Sequence, residues 1–306
     1  MNRAAPRSID AYLQQLREAL AGQDSALLQD ALYDAEEYLQ AEVSAHPDKS
    51  EADVLELIAT TYGAPEEVAA AYVDTEAKVR AALATPRAPS AEGGALRRFF
   101  SVYSDVRAYT CVFYMLLALA TGIIYFMIAV VGTALSLGFA VLIIGVPFFL
   151  LFIGTTRVLA LAEGRLLEAL TGERMPRRPP HPGQAKGFWM RIGAMLRDGR
   201  TWTTLAYLVL MLPLGVLYFT LAVAGLAVGL ALTAAPLGML GHWLGWIDGT
   251  LQLDYGAVHP AWIATPLGLV LVFILGVVVL TLFMHLARLI GRFHARLAKH
   301  LLVHPS

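Results

Sequence analysis

Between Ala108 and Thr156 the chain runs for 49 residues without one Asp, Glu, Lys or Arg. A bilayer core about 30 Å thick takes roughly 20 helical residues per crossing. The stretch therefore suits two crossings joined by a tight reversal, and Gly132, Ser136 and Gly138 place that reversal between Gly132 and Leu137. A second apolar block runs from Thr201 to Ala287, interrupted only by Asp248 and Asp254 within a polar stretch from Gly241 to Pro260. The expected spans are residues 109–132, 137–156, 203–232 and 262–286. Only 15% of the 306 residues are charged and 57% are hydrophobic. Soluble domains average about 25% charged, so an ordinary soluble globule is excluded.

The net charge of -1 hides a division. Residues 1–92 hold 17 acids and 7 bases, whereas residues 93–306 hold 16 bases and 7 acids. No overall basic field points to nucleic acid. All 23 Lys and Arg lie in three segments: up to Arg107, from Arg157 to Arg200, and from Arg288 onward. Basic residues gather on the cytoplasmic side of spanning helices, so the expected topology has four spans with both termini inside a bacterial cytoplasmic membrane. Asp248 and Asp254 then face outward, with Trp243, Trp246, Tyr255 and Trp262 as an interfacial aromatic belt. No apolar leader precedes Asp10, Arg17 and Glu18, so no cleaved secretory signal is expected.

A shift of 93 residues lays Asp105-Val-Arg107-Ala-Tyr109-Thr110 over Asp198-Gly-Arg200-Thr-Trp202-Thr203. The same register pairs Tyr114 with Tyr207, Gly122 with Gly215, Tyr125 with Tyr218 and Gly132 with Gly225. Later in each copy Arg157 and Arg165 correspond to Arg288 and Arg296. Matches of this kind indicate a duplicated two-span unit, and because each copy enters from the same side the repeats are parallel rather than inverted. Each first span is preceded by a short amphipathic segment, Leu96–Val106 and Phe188–Leu196, suited to the membrane interface. Asp105, Arg107 and Tyr109, like Asp198, Arg200 and Trp202, read either as a helix cap with a snorkelling anchor or as a clamp for lipid headgroups.

Residues 1–84 have helical periodicity, as in Ile9, Tyr12, Leu13, Leu16 and Leu20. Ser50-Glu-Ala-Asp53 is a capping-box start, and Gly63-Ala-Pro65-Glu66-Glu67 closes one helix and opens another. Four short helices over roughly 8–84 are expected, followed by a Pro/Gly/Ala-rich tether over 85–95. The fold class is accordingly all-α, a small cytoplasmic helical domain ahead of a four-helix membrane bundle made of repeats 96–178 and 179–306. The acidic run Asp34, Glu36, Glu37, Glu42 reads as a solvated face or as a docking face for basic groups. Glu36, Glu37, Tyr38, Glu66 and Glu67 are the candidate contacts for a partner.

Tyr12-Leu-x-x-Leu, Ala35-Glu-Glu-Tyr38, Ser50-Glu-x-Asp-Val54 and Gly63-x-Pro65-Glu-Glu-Val68-Ala69 together resemble the HAAS domain, a helical module at the N-terminus of bacterial membrane proteins. That resemblance implies a signalling role, often beside PadR-type transcriptional regulators. Residues 98–300, through Asp198-x-Arg-x-Trp202 and Gly215-x-x-Tyr218, look like the duplicated "sensor" domain that precedes actinobacterial histidine kinases. With no phosphoacceptor or ATP-binding module before Ser306, the expected output is a separate protein partner.

No Gly-rich phosphate loop, His-Glu-x-x-His helix or Gly-x-Ser-x-Gly elbow is present, so neither catalysis nor a cofactor is expected. The polar cluster on the outer loop, His242, Asp248, Asp254 and His259 among Trp243 and Trp246, reads as loop structure or as a ligand or proton site. His285, His294, His300 and His304 are expected on a solvated or lipid-contacting basic helix, and Cys111 as a small core residue. Pro147, Pro213 and Pro266 are expected to kink spans. The chain reads as a non-enzymatic membrane sensor in contact with lipid and a cytoplasmic partner, with self-association compatible. The alternative is a small transporter or lipid-handling protein, against which stands the absence of charge within the expected spans.

Overall fold

A computed structural model describes residues 5–83, 94–139, 145–176, 188–246 and 265–303. Every regular element among them is helical. The first four helices are α1 Ile9–Ala19, α2 Ser25–Ala45, α3 Glu51–Thr61 and α4 Pro65–Leu83. Their starts follow from local chemistry. Ser8, Asp24 and Ser50 each accept a backbone N–H from the first turn of the helix they precede. Ser50 also donates to Asp53 Oδ2 at 2.6 Å. At α4 the Glu67 carboxylate reaches back to the Ala64 N–H at 3.2 Å, the reciprocal half of a capping box.

Gly63, between α3 and α4, has φ +109°, a conformation that an L side chain rarely adopts. Its carbonyl accepts the Tyr12 O–H at 2.9 Å, which pins α1 to that turn. Tyr12, Leu16, Leu20, Leu39 and Leu55 then close a core of their own.

Among the described residues, four helices are long and apolar enough to cross a membrane: α6 Val106–Gly138, α7 Gly145–Thr171, α9 Gly199–Trp243 and α10 Pro266–Leu302. The chain is thus a multi-pass membrane protein of the all-α class. Short helices α5 Ala95–Phe100, continued by a 3-10 turn over Ser101–Ser104, and α8 Phe188–Arg197 precede α6 and α9. They occupy the two amphipathic segments of the sequence.

The spanning helices outrun the apolar runs that signal them. At 1.5 Å per residue, the 45 residues of α9 reach about 68 Å, more than twice a bilayer core. α7 and α10 likewise continue through Arg157 and Arg288 into charged sequence. A helix ends where its backbone loses partners, not where hydropathy drops, and α6, α7, α9 and α10 all run past the expected spans for this reason. Gly132 does not reverse the chain: it lies inside α6, and a side chain there would strike the Phe152 ring on α7. α6 ends at Gly138. Pro266 does not kink a span either; it is the first residue of α10, whose cap Thr265 accepts the Gly268 N–H. Pro213 and Pro236 lie inside α9, and Pro147 lies in the first turn of α7.

α6 packs on α9 at the centre, with α7 against α6 and α10 against α9. The central crossing is reciprocal. A Cβ on Gly122 would collide with the backbone of Met211, and one on Gly215 with that of Ala118. Likewise Gly225 faces Phe283 as Gly132 faces Phe152. The duplicated sequence therefore gives duplicated contacts, with small residues admitting close backbone approach.

Candidate functional site

Glu163 on α7 and His294 on α10 have 0% of their surface exposed. Tyr114 and Tyr125 project from α6, and Tyr207 and Tyr218 from α9, into the same place. Tyr114 O–H donates to Glu163 Oε1 at 2.7 Å, Tyr207 O–H to the same oxygen at 3.1 Å, and Tyr125 O–H to Oε2 at 2.8 Å. The Tyr207 oxygen lies 3.0 Å from His294 Nε2, and the Tyr218 oxygen 3.3 Å from Nδ1. Glu163 Oε1 and His294 Nε2 are 3.9 Å apart. All four spanning helices thus contribute to one buried polar node.

The node is built by the duplication. Tyr114 and Tyr125 become Tyr207 and Tyr218 at the 93-residue offset, and Glu163 becomes His294 at the offset that relates Arg157 to Arg288. The repeats agree in their tyrosines and differ at the titratable position.

A hydroxyl has one proton to donate. With Tyr207 donating to Glu163, the Tyr207 oxygen must accept from Nε2–H of His294. Tyr218 can donate to Nδ1 or accept from it, so both ring nitrogens stay satisfied whether the ring is neutral or charged. Moving one proton between acid and ring leaves the node's net charge unchanged. Such pairing is what permits a carboxylate to be buried.

This burial corrects the expectation for His294, which is not on a solvated face. α7 runs on past the expected span of 137–156 and carries Glu163 beyond Arg157. His285 bonds through Nε2 to the Phe99 carbonyl at 2.9 Å, and His300 is exposed; His304 lies outside the described residues.

Asp105 and Asp198 cap α6 and α9, accepting the N–H of Arg107 and of Arg200, each at 3.0 Å. Tyr109 O–H donates to the Tyr103 carbonyl at 3.1 Å, and Trp202 Nε1–H to that of Leu196 at 2.9 Å. The two copies are thus the same six-residue clasp between interfacial segment and span. Arg288 pairs with Asp105 at 3.2 Å. Arg107 is exposed and Arg200 half-buried.

Among the candidate partner contacts, Glu37, Glu66 and Glu67 are exposed and Tyr38 stacks on Tyr62 with ring centroids 4.3 Å apart. Glu36 is only 6% exposed and accepts from Gln40 at 2.9 Å. Burial, reinforced by Asp10, pushes its carboxyl up to about 7. Burial also raises Tyr12 and Tyr72, the latter donating to Asp34 at 3.2 Å. The acidic run is therefore not one solvated face.

Other acids join this domain to the bundle: Arg174, just past α7, pairs with Asp30 at 3.0 Å and with Glu76, and Lys299 on α10 with Asp24 at 2.7 Å. At the opposite end, His242, Trp243 and Trp246 are exposed at the close of α9. Asp248, Asp254 and His259 lie outside the described residues, and no group of metal-ligating side chains occurs among the described ones.

A model of the family described as "Putative sensor" matches residues 114–302. No curated protein and no solved structure matches the chain.

Proposed function

The chain belongs to this sensor family, whose match covers 189 of its 306 residues, and from that membership we propose a non-enzymatic membrane sensor that relays envelope or lipid state to a cytoplasmic protein. Residues 8–84 act as a HAAS-like output module. Their partner is a transcriptional regulator, PadR-type by the resemblance noted above. The protein sits in a bacterial cytoplasmic membrane with both termini inside, as its basic residues suggest.

The buried node supports this reading most directly. A shift of any spanning helix must lengthen a hydrogen bond to Glu163 or His294, so the four helices share one all-or-none contact. The helices carrying these two residues also reach the output module, α7 leading to Arg174 and α10 bearing Lys299. A change at the node therefore has a continuous helical path to the acidic domain along α10.

The test is the transcriptional response of the host to an envelope-active compound, compared among wild type, a Glu163→Gln variant and a protein lacking residues 1–84. We expect the deletion to abolish the response while the bundle stays in the membrane, and Glu163→Gln to shift its threshold. An intact response in the deletion strain, with altered export of the compound instead, overturns the reading in favour of transport.

A further inference from the structure

Arg174 enters the helical domain at a seam between α2 and α4. One of its terminal nitrogens meets Asp30 on α2 at 3.0 Å and the other meets Glu76 on α4. The seam continues past that seat. Asp34, one turn further along α2, accepts the Tyr72 O–H from α4 at 3.2 Å. Tyr72 is joined to Tyr62, at the end of α3, by a hydrogen bond between their side chains, and Tyr62 stacks on Tyr38 with ring centroids 4.3 Å apart. Asp30, Asp34 and Tyr38 follow one another at four-residue spacing, so they share one face of α2. Asp30–Glu76 and Asp34–Tyr72 are then consecutive rungs of an antiparallel helix pair. Tyr38, Tyr62 and Tyr72 are half-buried, and Glu37 beside them is exposed. Burial raises Tyr62 and Tyr72, so their hydroxyls stay protonated. The strip thus offers carboxylates and aromatic rings, the two groups a guanidinium binds best, one through its fork and the other by stacking.

We infer that the α2–α4 seam is the docking face for an arginine-bearing segment of the cytoplasmic partner, and that Arg174 holds one end of it as an intramolecular rival. A guanidinium already fills the first seat, and the strip that runs on from it has the same chemistry. Charge favours the same occupant, since residues 1–92 hold 17 acids against 7 bases. Tyrosine and arginine are also the residues on which protein interfaces concentrate their energy. The inference rests on the sensor reading and gives its partner a surface: a movement at the end of α7 that withdraws Arg174 opens the Asp30–Glu76 seat.

The full chain in neutral detergent at physiological salt is titrated with a fluorescein-labelled helical peptide carrying Arg at every fourth position of an Ala/Gln background, and binding is followed by anisotropy. We expect saturable binding that Tyr38→Ala weakens about tenfold and Glu37→Gln about threefold. Glu56→Gln, at an exposed acid of α3, leaves it unchanged. Arg174→Gln removes the rival and tightens binding about threefold or more. A peptide with Lys at each Arg position binds several-fold more weakly. Melting without peptide reports whether each variant folds; should Tyr38→Ala fail to fold, Glu37→Gln and Arg174→Gln decide. The site is overturned by absence of saturable binding, by equal loss in Glu37→Gln and Glu56→Gln, by equal binding of the lysine peptide, or by an affinity that Arg174→Gln leaves unchanged. The transcriptional test above does not use the peptide, so a response lost on deleting residues 1–84 beside a peptide that fails to bind removes the seam and leaves the sensor reading standing.

Discussion

Glu36 shows how burial changes a carboxylate without any catalytic demand. Its ordinary value is 4.5, and in the fold it rises to about 7. Between those values the folded chain keeps a proton that the unfolded chain releases, so stability is fully present at lower pH and declines as pH climbs through the window. Asp10 faces it from α1 and Gln40 from its own helix. Glu36→Gln removes the ionisation while keeping the shape. We expect variant and wild type to melt together near pH 4.5 and the variant to melt a few degrees higher at pH 8; parallel profiles over the whole range would refute the assignment. The same substitution at Glu163 has another meaning, because three tyrosine hydroxyls converge on that carboxylate and an amide NH2 cannot accept from them.

At the level of helices, the close crossing of α6 and α9 rests on two glycines. Gly122→Leu or Gly215→Leu must push a backbone aside, and each is expected to cost on the order of 3 kcal/mol, measured as loss of thermal stability in detergent. Gly154→Leu, where a side chain meets nothing within 4 Å, is the control and should change stability by less than about 0.5 kcal/mol. Equal effects at all three positions would show that the crossing is not glycine-limited. The glycine and tyrosine pairings of this interface were legible in the sequence because the duplication aligned them. The node was not, although all four tyrosines stood in the aligned register. Glu163 and His294 occupy equivalent positions but differ in type, so a search for matching residues passes over them. Each also lies among arginines, where a charged residue reads as solvated. Helix ends were hidden for a related reason: hydropathy reports where lipid could be, and says nothing of how far a backbone ladder runs past it. Caps fared better, since Ser50-x-x-Asp53 and Pro65-Glu66-Glu67 act within one turn.

For the molecule as a whole, ion pairs tie the acidic half to the basic one. Asp24, Asp30 and Glu76 take Lys299 and Arg174, and none of these three acids was among the candidate partner contacts. Lys299→Glu should loosen the domain, seen as faster hydrogen exchange across residues 25–45, and Asp24→Lys in the same chain should restore protection. The coupling expected for a pair about one quarter exposed on each side is roughly 1 kcal/mol. Exchange that ignores both changes would mean the domain is held by other means. The exchange of Glu for His between repeats has a consequence for ancestry and assembly. Two separate copies of one hairpin, meeting about a twofold axis, would set acid against acid or imidazole against imidazole there, and neither couple can form a carboxylate–imidazolium ion pair. Joining both hairpins in one polypeptide frees each to specialise, so a tyrosine cage inherited in duplicate can enclose an unlike pair that no symmetric dimer could build.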